Sequence, residues 1–214
     1  MSDDAARAYW DRHASNYDRS MAILGGRIPA MVERARRAVK GAASVLEVAT
    51  GTGLVTVAIA GAAQRVVATD YAPQMVEQLR TKLKRAGATN VDVKQADIYA
   101  LPFASDEFDA VIAANVLHLV PDERAALAAL KQVLKPNGRL IVPTYCHNEP
   151  LLARCVSRVL ALTGFPGSRR FSMQQLRTTV EASGLEVRRA EVLRGVIPIG
   201  YVEVVHSGSA PGTL

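Results

Sequence analysis

Segments with two different hydrophobic periods alternate along this chain, and that alternation constrains its fold more than any other feature. Strand-like runs are predicted at residues 44–48, 65–70, 91–96, 108–114, 138–144, 186–194 and 198–206. Helix-like segments are predicted between the first five runs, at residues 54–62, 73–86 and 122–134. The tripeptide Pro136-Asn137-Gly138 predicts a turn into the fifth strand. Strands that alternate with helices form a parallel sheet covered on both faces, which binds ligands at the carboxyl ends of its strands.

The composition is that of a folded domain rather than of a disordered or membrane-spanning chain. Of 214 residues, 49% are hydrophobic and 21% are charged, and no apolar stretch is long enough to cross a bilayer. We predict a single domain over residues 1–206 and a disordered tail over residues 207–214, which are small and polar. The first residues are acidic and polar where a signal peptide would be basic and then apolar, so the expected location is the cytoplasm.

The cysteine spacing and the net charge indicate the expected compartment and argue against a structural metal and a nucleic-acid interface. Cys146 and Cys155 lie nine positions apart without a CxxC or Cys/His ligand spacing, so a reducing compartment and no structural metal are expected. The net charge of +6 comes from basic residues scattered along the chain. A solvated surface is therefore expected rather than a nucleic-acid interface.

The first predicted strand ends in a short glycine turn, Ala49-Thr50-Gly51-Thr52-Gly53, which leads directly into a helix. The two glycines allow a tight backbone and close approach of a ligand, and the start of the helix offers free N–H groups to an anionic group. The dinucleotide fingerprint GxGxxG would require glycine at position 56, where this chain has Thr56. The turn thus indicates a ligand site without identifying the ligand.

Aspartates stand at the ends of the next two predicted strands. Asp70 ends the second strand, where its carboxylate can accept hydrogen bonds from both hydroxyls of a ribose. Asp97 follows the third strand, where its carboxylate can accept from the exocyclic amine of an adenine while the next backbone N–H binds a ring nitrogen. Either aspartate could instead serve only its own turn, but the three strand ends together favour an adenosine-containing ligand.

Four segments between residues 44 and 144 carry a specific pattern when taken in order: EVATGTG, ATDYAPQMVEQLR, QADIYALPFASDEFDAVIAANVLHLVPD and LKPNGRLIVPTY. Together they resemble the class I S-adenosylmethionine-dependent methyltransferases, in particular the branch that includes the ubiquinone/menaquinone-biosynthesis and many small-molecule methyltransferases. The resemblance implies a Rossmann-like, doubly wound α/β fold. Its seven-stranded sheet is mostly parallel with the last strand antiparallel, and helices cover both faces. The implied cofactor is S-adenosylmethionine, which becomes S-adenosylhomocysteine.

By this resemblance, the end of the first strand shapes the pocket for the methionine portion of the cofactor. The residues concerned are Glu47 and the turn with Ala49, Thr50, Gly51 and Gly53. The family often has glycine at the position of Ala49, and alanine is the smallest replacement.

The same resemblance assigns the other strand ends. Asp70 holds the ribose, Tyr71 packs near the adenine, and Asp97 with Ile98 reads the adenine edge. Asn115 ends the fourth strand, at a position where the backbone carbonyl of related enzymes meets the ammonium group of the cofactor.

The acceptor side of the site has three candidate catalytic residues. Tyr17 belongs to a "YD" segment of the kind that related enzymes use as a lid, and residues 1–40 are predicted to form an N-terminal helical lid. His147, just beyond the fifth strand, and His118, after the fourth, are candidate general bases. Residues 145–172 are predicted to be an insertion that covers the acceptor pocket. Structural roles stay open for all three: a packing anchor for Tyr17, a plain loop for His147 and a packing histidine for His118.

The expected activity is transfer of a methyl group to a small organic acceptor by in-line displacement. Methyltransferases of base amines usually carry Asn/Asp-Pro-Pro-aromatic after the fourth strand, whereas this chain has Asn115-Val116-Leu117-His118, so no nucleic-acid partner is expected. A hydrophobic or anionic acceptor and peripheral contact with a membrane stay open. Two alternatives remain: a noncatalytic S-adenosylmethionine-binding protein, and a nicotinamide-dependent reductase, which Thr56 and Asp97-Ile98 disfavour.

Overall fold

The computed structural model of the chain describes residues 7–14, 26–146, 171–195 and 197–207. Its helices are α1 (7–14), α2 (Ile28–Ala38), α3 (Leu54–Ala60), α4 (Pro73–Ala86), α5 (Glu123–Val133) and α6 (Met173–Glu181). Its strands are β1 (Ser44–Val48), β2 (Arg65–Asp70), β3 (Val91–Gln95), β4 (Phe108–Ala113), β5 (Leu134–Ile141), β6 (Thr144–Tyr145), β7 (Leu185–Leu193) and β8 (Ile199–His206). None of these described helices has the length and apolar character needed to span a membrane.

The described strands form one sheet in the order β3-β2-β1-β4-β5-β8, with β7 paired to the far side of β8. Strands β1 to β5 are parallel, and β8 runs antiparallel to both β5 and β7. The short β6 continues β5 along β8 in the same register, after an interruption at Val142 and Pro143. The prediction of a mostly parallel, doubly wound sheet whose last strand is antiparallel is confirmed.

Alternate residues of the central strands pack on opposite faces of this sheet. Val45 of β1 contacts a cluster formed by α2 and α3, and α4 packs beside α3 on the same face. The next residue, Leu46, packs on the other face with α5 and α6. Both faces of β1 are therefore buried, as expected for a central strand of a parallel sheet covered on both sides.

Most predicted elements agree with the structure to within two residues at each end, and one turn is wrong. The bounds of β1, β2 and α4 agree with the prediction to the residue. The fifth strand, however, begins at Leu134 instead of Gly138, because Leu134 pairs with Phe108 and Arg139 pairs with Ala110. Four residues of β5, 135–138, thus lie opposite the single residue Asp109 of β4. The segment Pro136-Asn137-Gly138 forms an irregularity within the strand instead of a turn before it.

The strand order places an opening at the carboxyl end of β1. The chain moves from β1 outward to β2 and β3, then returns to β4 on the other side of β1. The loops that follow β1 and β4 therefore leave the sheet in different directions. A crevice forms between them at this switch point, which is where sheets of this type bind ligands.

Candidate functional site

Two adjoining cavities lie at the carboxyl ends of β1 to β4. The larger cavity contains seven of the predicted cofactor residues: Ala49, Gly51, Asp70, Tyr71, Asp97, Ile98 and Asn115. The smaller cavity is lined by the predicted residues Glu47 and Thr50 together with Ile28 and Met31 of α2. Ala49, Gly51, Ala114 and Asn115 line both cavities, so one elongated ligand can occupy the two together.

The glycine turn after β1 has a backbone of unusual conformation. Ala49, Gly51 and Gly53 have φ values of 49°, 56° and 83°, in the left-handed region that favours glycine. A Cβ atom added at Gly53 would collide with Cδ1 of the Leu79 side chain in α4, which would have to move. The turn therefore requires glycine at position 53, both for its conformation and for the packing of α3 near α4.

A buried carboxyl group lies directly beneath this turn. Oε2 of Glu47 accepts a hydrogen bond from the Thr56 hydroxyl at 2.6 Å, and the hydroxyls of Thr56 and Thr50 are bonded to each other. Burial raises the pKa of Glu47 to about 8, although the two threonine hydroxyls oppose this rise. Thr56 thus stands where the dinucleotide fingerprint has its third glycine, and its hydroxyl donates a hydrogen bond to Glu47. Sequence reasoning treated Thr56 only as a missing glycine.

The carboxylate of Asp70 connects the ends of β1 and β2. Its Oδ2 accepts from the N–H of Gly51 at 2.7 Å, and its Oδ1 accepts from the N–H of Ala72 at 2.9 Å. Burial raises the pKa of Asp70 to about 6, and those two backbone N–H groups limit the rise. The backbone N–H of Tyr71 lowers the pKa of Asp70 as well. A carboxylate has about four acceptor positions, so at least one remains for a ligand in the larger cavity.

The predicted adenine-side residues line the larger cavity together. The guanidinium of Arg7 lies over the ring of Tyr71, 5.3 Å from its centroid. Oδ1 of Asp97 accepts from the N–H of Tyr99 at 2.9 Å, so this aspartate does stabilise its own turn while it also lines the cavity. Ile98 lines the same cavity and packs against the hydrophobic core.

Helix α1 covers part of the larger cavity. Trp10 and Arg7 line it, and Trp10 packs against Ala72 and Met75 at the start of α4. Oδ1 of Asp11 accepts from the backbone N–H of Gln74 at 3.1 Å. Because the N-cap residue of α4 is alanine and offers no side-chain acceptor, Asp11 satisfies a helix N-terminus from another element. Arg7 and Trp10 were absent from the predicted site because their positions depend on this docking.

Of the three candidate catalytic residues, only His118 lies within the described part of the chain. Tyr17, His147 and nearly all of the proposed cover at residues 145–172 lie outside the described residues. His118 is buried and does not line either cavity; its ring meets that of Tyr145 edge-on, with 5.8 Å between centroids. Burial raises the pKa of Tyr145 to about 12. This geometry agrees with a packing histidine and leaves a catalytic role for His118 as a proposal.

Comparison with known proteins adds independent information. A family model described as a methyltransferase domain matches residues 46–142. A demethylmenaquinone methyltransferase from Clavibacter sepedonicus is 37% identical over 138 residues, which cover 63% of this chain and 56% of that protein. The ubiquinone/menaquinone biosynthesis C-methyltransferase UbiE from Syntrophotalea carbinolica is 36% identical over 164 residues, which cover 71% of this chain and 68% of that protein. The chain thus spans little more than half the length of the first of these relatives.

A solved structure extends the similarity beyond the matched region. The structure described as a DhpI–SAH complex is 25% identical in sequence and has a TM-score of 0.72. The superposition covers 96% of this chain and 97% of the DhpI chain. The similarity in fold therefore includes the elements on both sides of the sheet.

Proposed function

We propose that this chain, which belongs to the class I S-adenosylmethionine-dependent methyltransferases, transfers a methyl group from S-adenosylmethionine to a small organic acceptor. The observation that carries the proposal is that residues from three neighbouring strand ends line one cavity. They are the turn at Gly51, the carboxylate of Asp70 and the Asp97-Ile98 pair. An adenosine with a charged amino-acid extension offers a diol, an adenine edge and an ammonium group to these residues.

The residues present fit this cofactor. Asp70 keeps acceptor capacity beyond its backbone N–H partners, which a ribose hydroxyl would use. Glu47 is a buried carboxyl group in the smaller cavity, where an ammonium group would compensate for its ionisation. The left-handed turn at Gly51 brings backbone close to the cavity without a side chain in the way.

The chemistry needs positioning more than proton transfer. When bound, the cofactor would supply an activated methyl group, which would bond to an electron pair of the acceptor while the electrons of the broken carbon–sulfur bond stay on sulfur. The protein then has to align the acceptor and exclude water. Helix α1 supports the second task because Trp10 packs over the cavity. A general base is required only for an acceptor that still carries its proton, and Tyr17, His118 and His147 remain candidates.

The acceptor is proposed to be a small organic molecule with substantial apolar surface. Much of the remaining lining of the larger cavity is apolar, including Val116, Leu119 and Val120, and Arg7 adds a positive charge that would suit an anionic substituent. Quinone-like molecules belong to this class, since two relatives carry names from menaquinone and ubiquinone biosynthesis. A cytoplasmic location, with or without contact with a membrane surface, is part of the same proposal.

The first experiment is a calorimetric titration with S-adenosylhomocysteine and, in parallel, with NADH. We expect micromolar binding of S-adenosylhomocysteine and no binding of NADH. Binding of NADH alone would replace the methyltransferase proposal with that of a reductase. Binding of S-adenosylhomocysteine without methyl transfer to any member of a panel of phenols, quinols and amines would favour the noncatalytic alternative.

Asp70→Asn tests the ribose assignment. The variant keeps the size of the side chain but loses the charge and one acceptor oxygen, so we expect affinity for S-adenosylhomocysteine to fall by about tenfold. The matched control is Asp92→Asn, because Asp92 is exposed on β3 and lines neither cavity. This variant should bind S-adenosylhomocysteine with the affinity of the wild type. Unchanged affinity in Asp70→Asn would remove Asp70 from the site.

A further inference from the structure

One side chain where the two cavities meet has an unsatisfied polar atom. Oδ1 of Asn115 is buried and has no hydrogen-bond partner within the part of the chain that the structure describes. The Nδ2 atom of the same amide lies 3.7 Å from Sδ of Met31, which is a weak acceptor. Leaving a buried carbonyl oxygen without a partner costs stability, and a positively charged or donor group bound in the cavities that Asn115 lines would offset this cost.

The backbone fixes Asn115 at this place. Its N–H donates to the carbonyl of Pro143 at 2.7 Å, which ties the end of β4 to the interruption between β5 and β6. Its φ of 54° lies in the left-handed region, which asparagine tolerates better than most residues with a side chain. The amide is therefore held at the strand end by contacts that do not depend on a ligand.

Asn115 has a distinct place among the residues that both cavities share. The other three are Ala49, Gly51 and Ala114, none of which has a polar side chain. If adenosine lies beside Asp70 and the amino-acid end lies beside Glu47, the atoms that pass this shared wall are those between them. In S-adenosylmethionine those atoms are the sulfonium and its methyl group.

We infer that the side-chain carbonyl of Asn115 recognises the sulfonium centre and makes the site prefer S-adenosylmethionine over S-adenosylhomocysteine; this inference rests on the proposed function. The negative end of a carbonyl dipole stabilises a positive charge in a desolvated cavity. After methyl transfer the sulfur is neutral and that stabilisation is lost. Asn115 is thus a specificity-determining residue that favours binding of the methyl donor and release of the product.

The test compares dissociation constants for S-adenosylmethionine and S-adenosylhomocysteine by calorimetry. Asn115→Gly removes the amide and accepts the left-handed backbone without strain. We expect it to weaken S-adenosylmethionine binding about tenfold and S-adenosylhomocysteine binding less than about twofold. Asn115→Asp keeps the shape and adds a negative charge, so it should raise the preference for S-adenosylmethionine several-fold. Asn137→Gly is the matched control, because Asn137 is exposed in β5 and lines neither cavity.

The pattern of losses distinguishes the possible roles. Equal weakening of both molecules in Asn115→Gly would mean that the amide contacts a part they share, such as the ammonium group, and would overturn the inference. Unchanged binding of both would overturn it as well. If Asn115→Gly failed to fold, Asn115→Asp would serve as the test. An unchanged ratio of the two dissociation constants in that variant would overturn the inference. Failure of the wild-type protein to bind either molecule would instead reject the proposed function.

Discussion

At the scale of single residues, the site combines strained and desolvated groups that the surrounding structure holds in place. Ala49 and Asn115 both adopt positive φ values at the ends of neighbouring strands. A left-handed backbone costs a residue with a side chain about 1–2 kcal/mol, and asparagine is less affected than most residues. Glu47 and Asp70 are buried carboxyl groups close to the same turn. The strained backbone and the buried carboxyl groups therefore lower the stability of the folded protein at the positions where a ligand is expected to bind.

Glu47 makes the stability of the protein depend on pH. Its pKa of about 8 in the folded state lies above the ordinary value of 4.5. Between those values the folded protein holds a proton that the unfolded chain releases, so the contribution of this group to stability is lost as pH rises from about 4.5 to about 8. We expect Glu47→Gln, which cannot ionise, to gain stability relative to the wild type as pH rises through this window, by up to about 1.4 kcal/mol per pH unit.

The measurement is denaturant unfolding of both proteins between pH 5 and pH 8. Glu77→Gln is the matched control for loss of a carboxyl group, because its side chain is 68% exposed. A constant difference for Glu47→Gln would show that Glu47 is ionised throughout this range in the folded protein.

At the scale of elements, the docking of α1 on the start of α4 completes the larger cavity. The contact consists of the hydrogen bond from Gln74 to Asp11 and the packing of Trp10 on Ala72 and Met75. Replacing an N-capping acceptor by alanine typically costs about 1 kcal/mol. Asp11→Ala should therefore weaken docking of α1 about fivefold while global stability changes little, since the two large hydrophobic clusters contain no residue of α1.

The single tryptophan of the chain gives a direct measure of this docking. Trp10 is partly buried, so undocking in Asp11→Ala should shift its emission to longer wavelength and increase quenching by acrylamide. Asp11→Asn retains an oxygen that can accept from Gln74 and should keep most of the wild-type signal. Identical spectra for the wild type and Asp11→Ala would mean that the other contacts of α1, including the packing of Trp10 and Ala14, hold the helix without this hydrogen bond.

The elements also show what a sequence can and cannot reveal. Periodicity and the proline at its first position located α4 to the residue, because local preference and packing agree there. The start of β5 was misjudged because pairing of Leu134 with Phe108 is a tertiary contact that overrides the local turn signal of Pro136-Asn137-Gly138. Asp70 and Asp97 were predictable from the rule that parallel strands end at one edge. Arg7 and Trp10 were not, because their place depends on how α1 docks.

At the scale of the whole molecule, the sheet joins the two hydrophobic clusters into one cooperative unit. Each central strand contributes to both clusters, since Val45 and Leu46 of β1, and Val66 and Val67 of β2, face opposite sides. The site residues lie at the ends of these same strands. Unfolding of either cluster would therefore disrupt the site, and a ligand that binds the site should stabilise the molecule as a whole.

This coupling predicts how S-adenosylhomocysteine changes thermal unfolding. At a ligand concentration of 100 times Kd, binding adds about 2.7 kcal/mol to the stability of the folded state. For a chain of this size that corresponds to a rise in Tm of roughly 5–10 °C, which scanning calorimetry measures directly. At the same concentration, Asp70→Asn with its tenfold weaker binding should show about half of that rise, because the added stability falls to about 1.4 kcal/mol. Two separate transitions, of which the ligand moved only one, would contradict the single cooperative unit and show that one cluster unfolds without disturbing the strand ends that form the site.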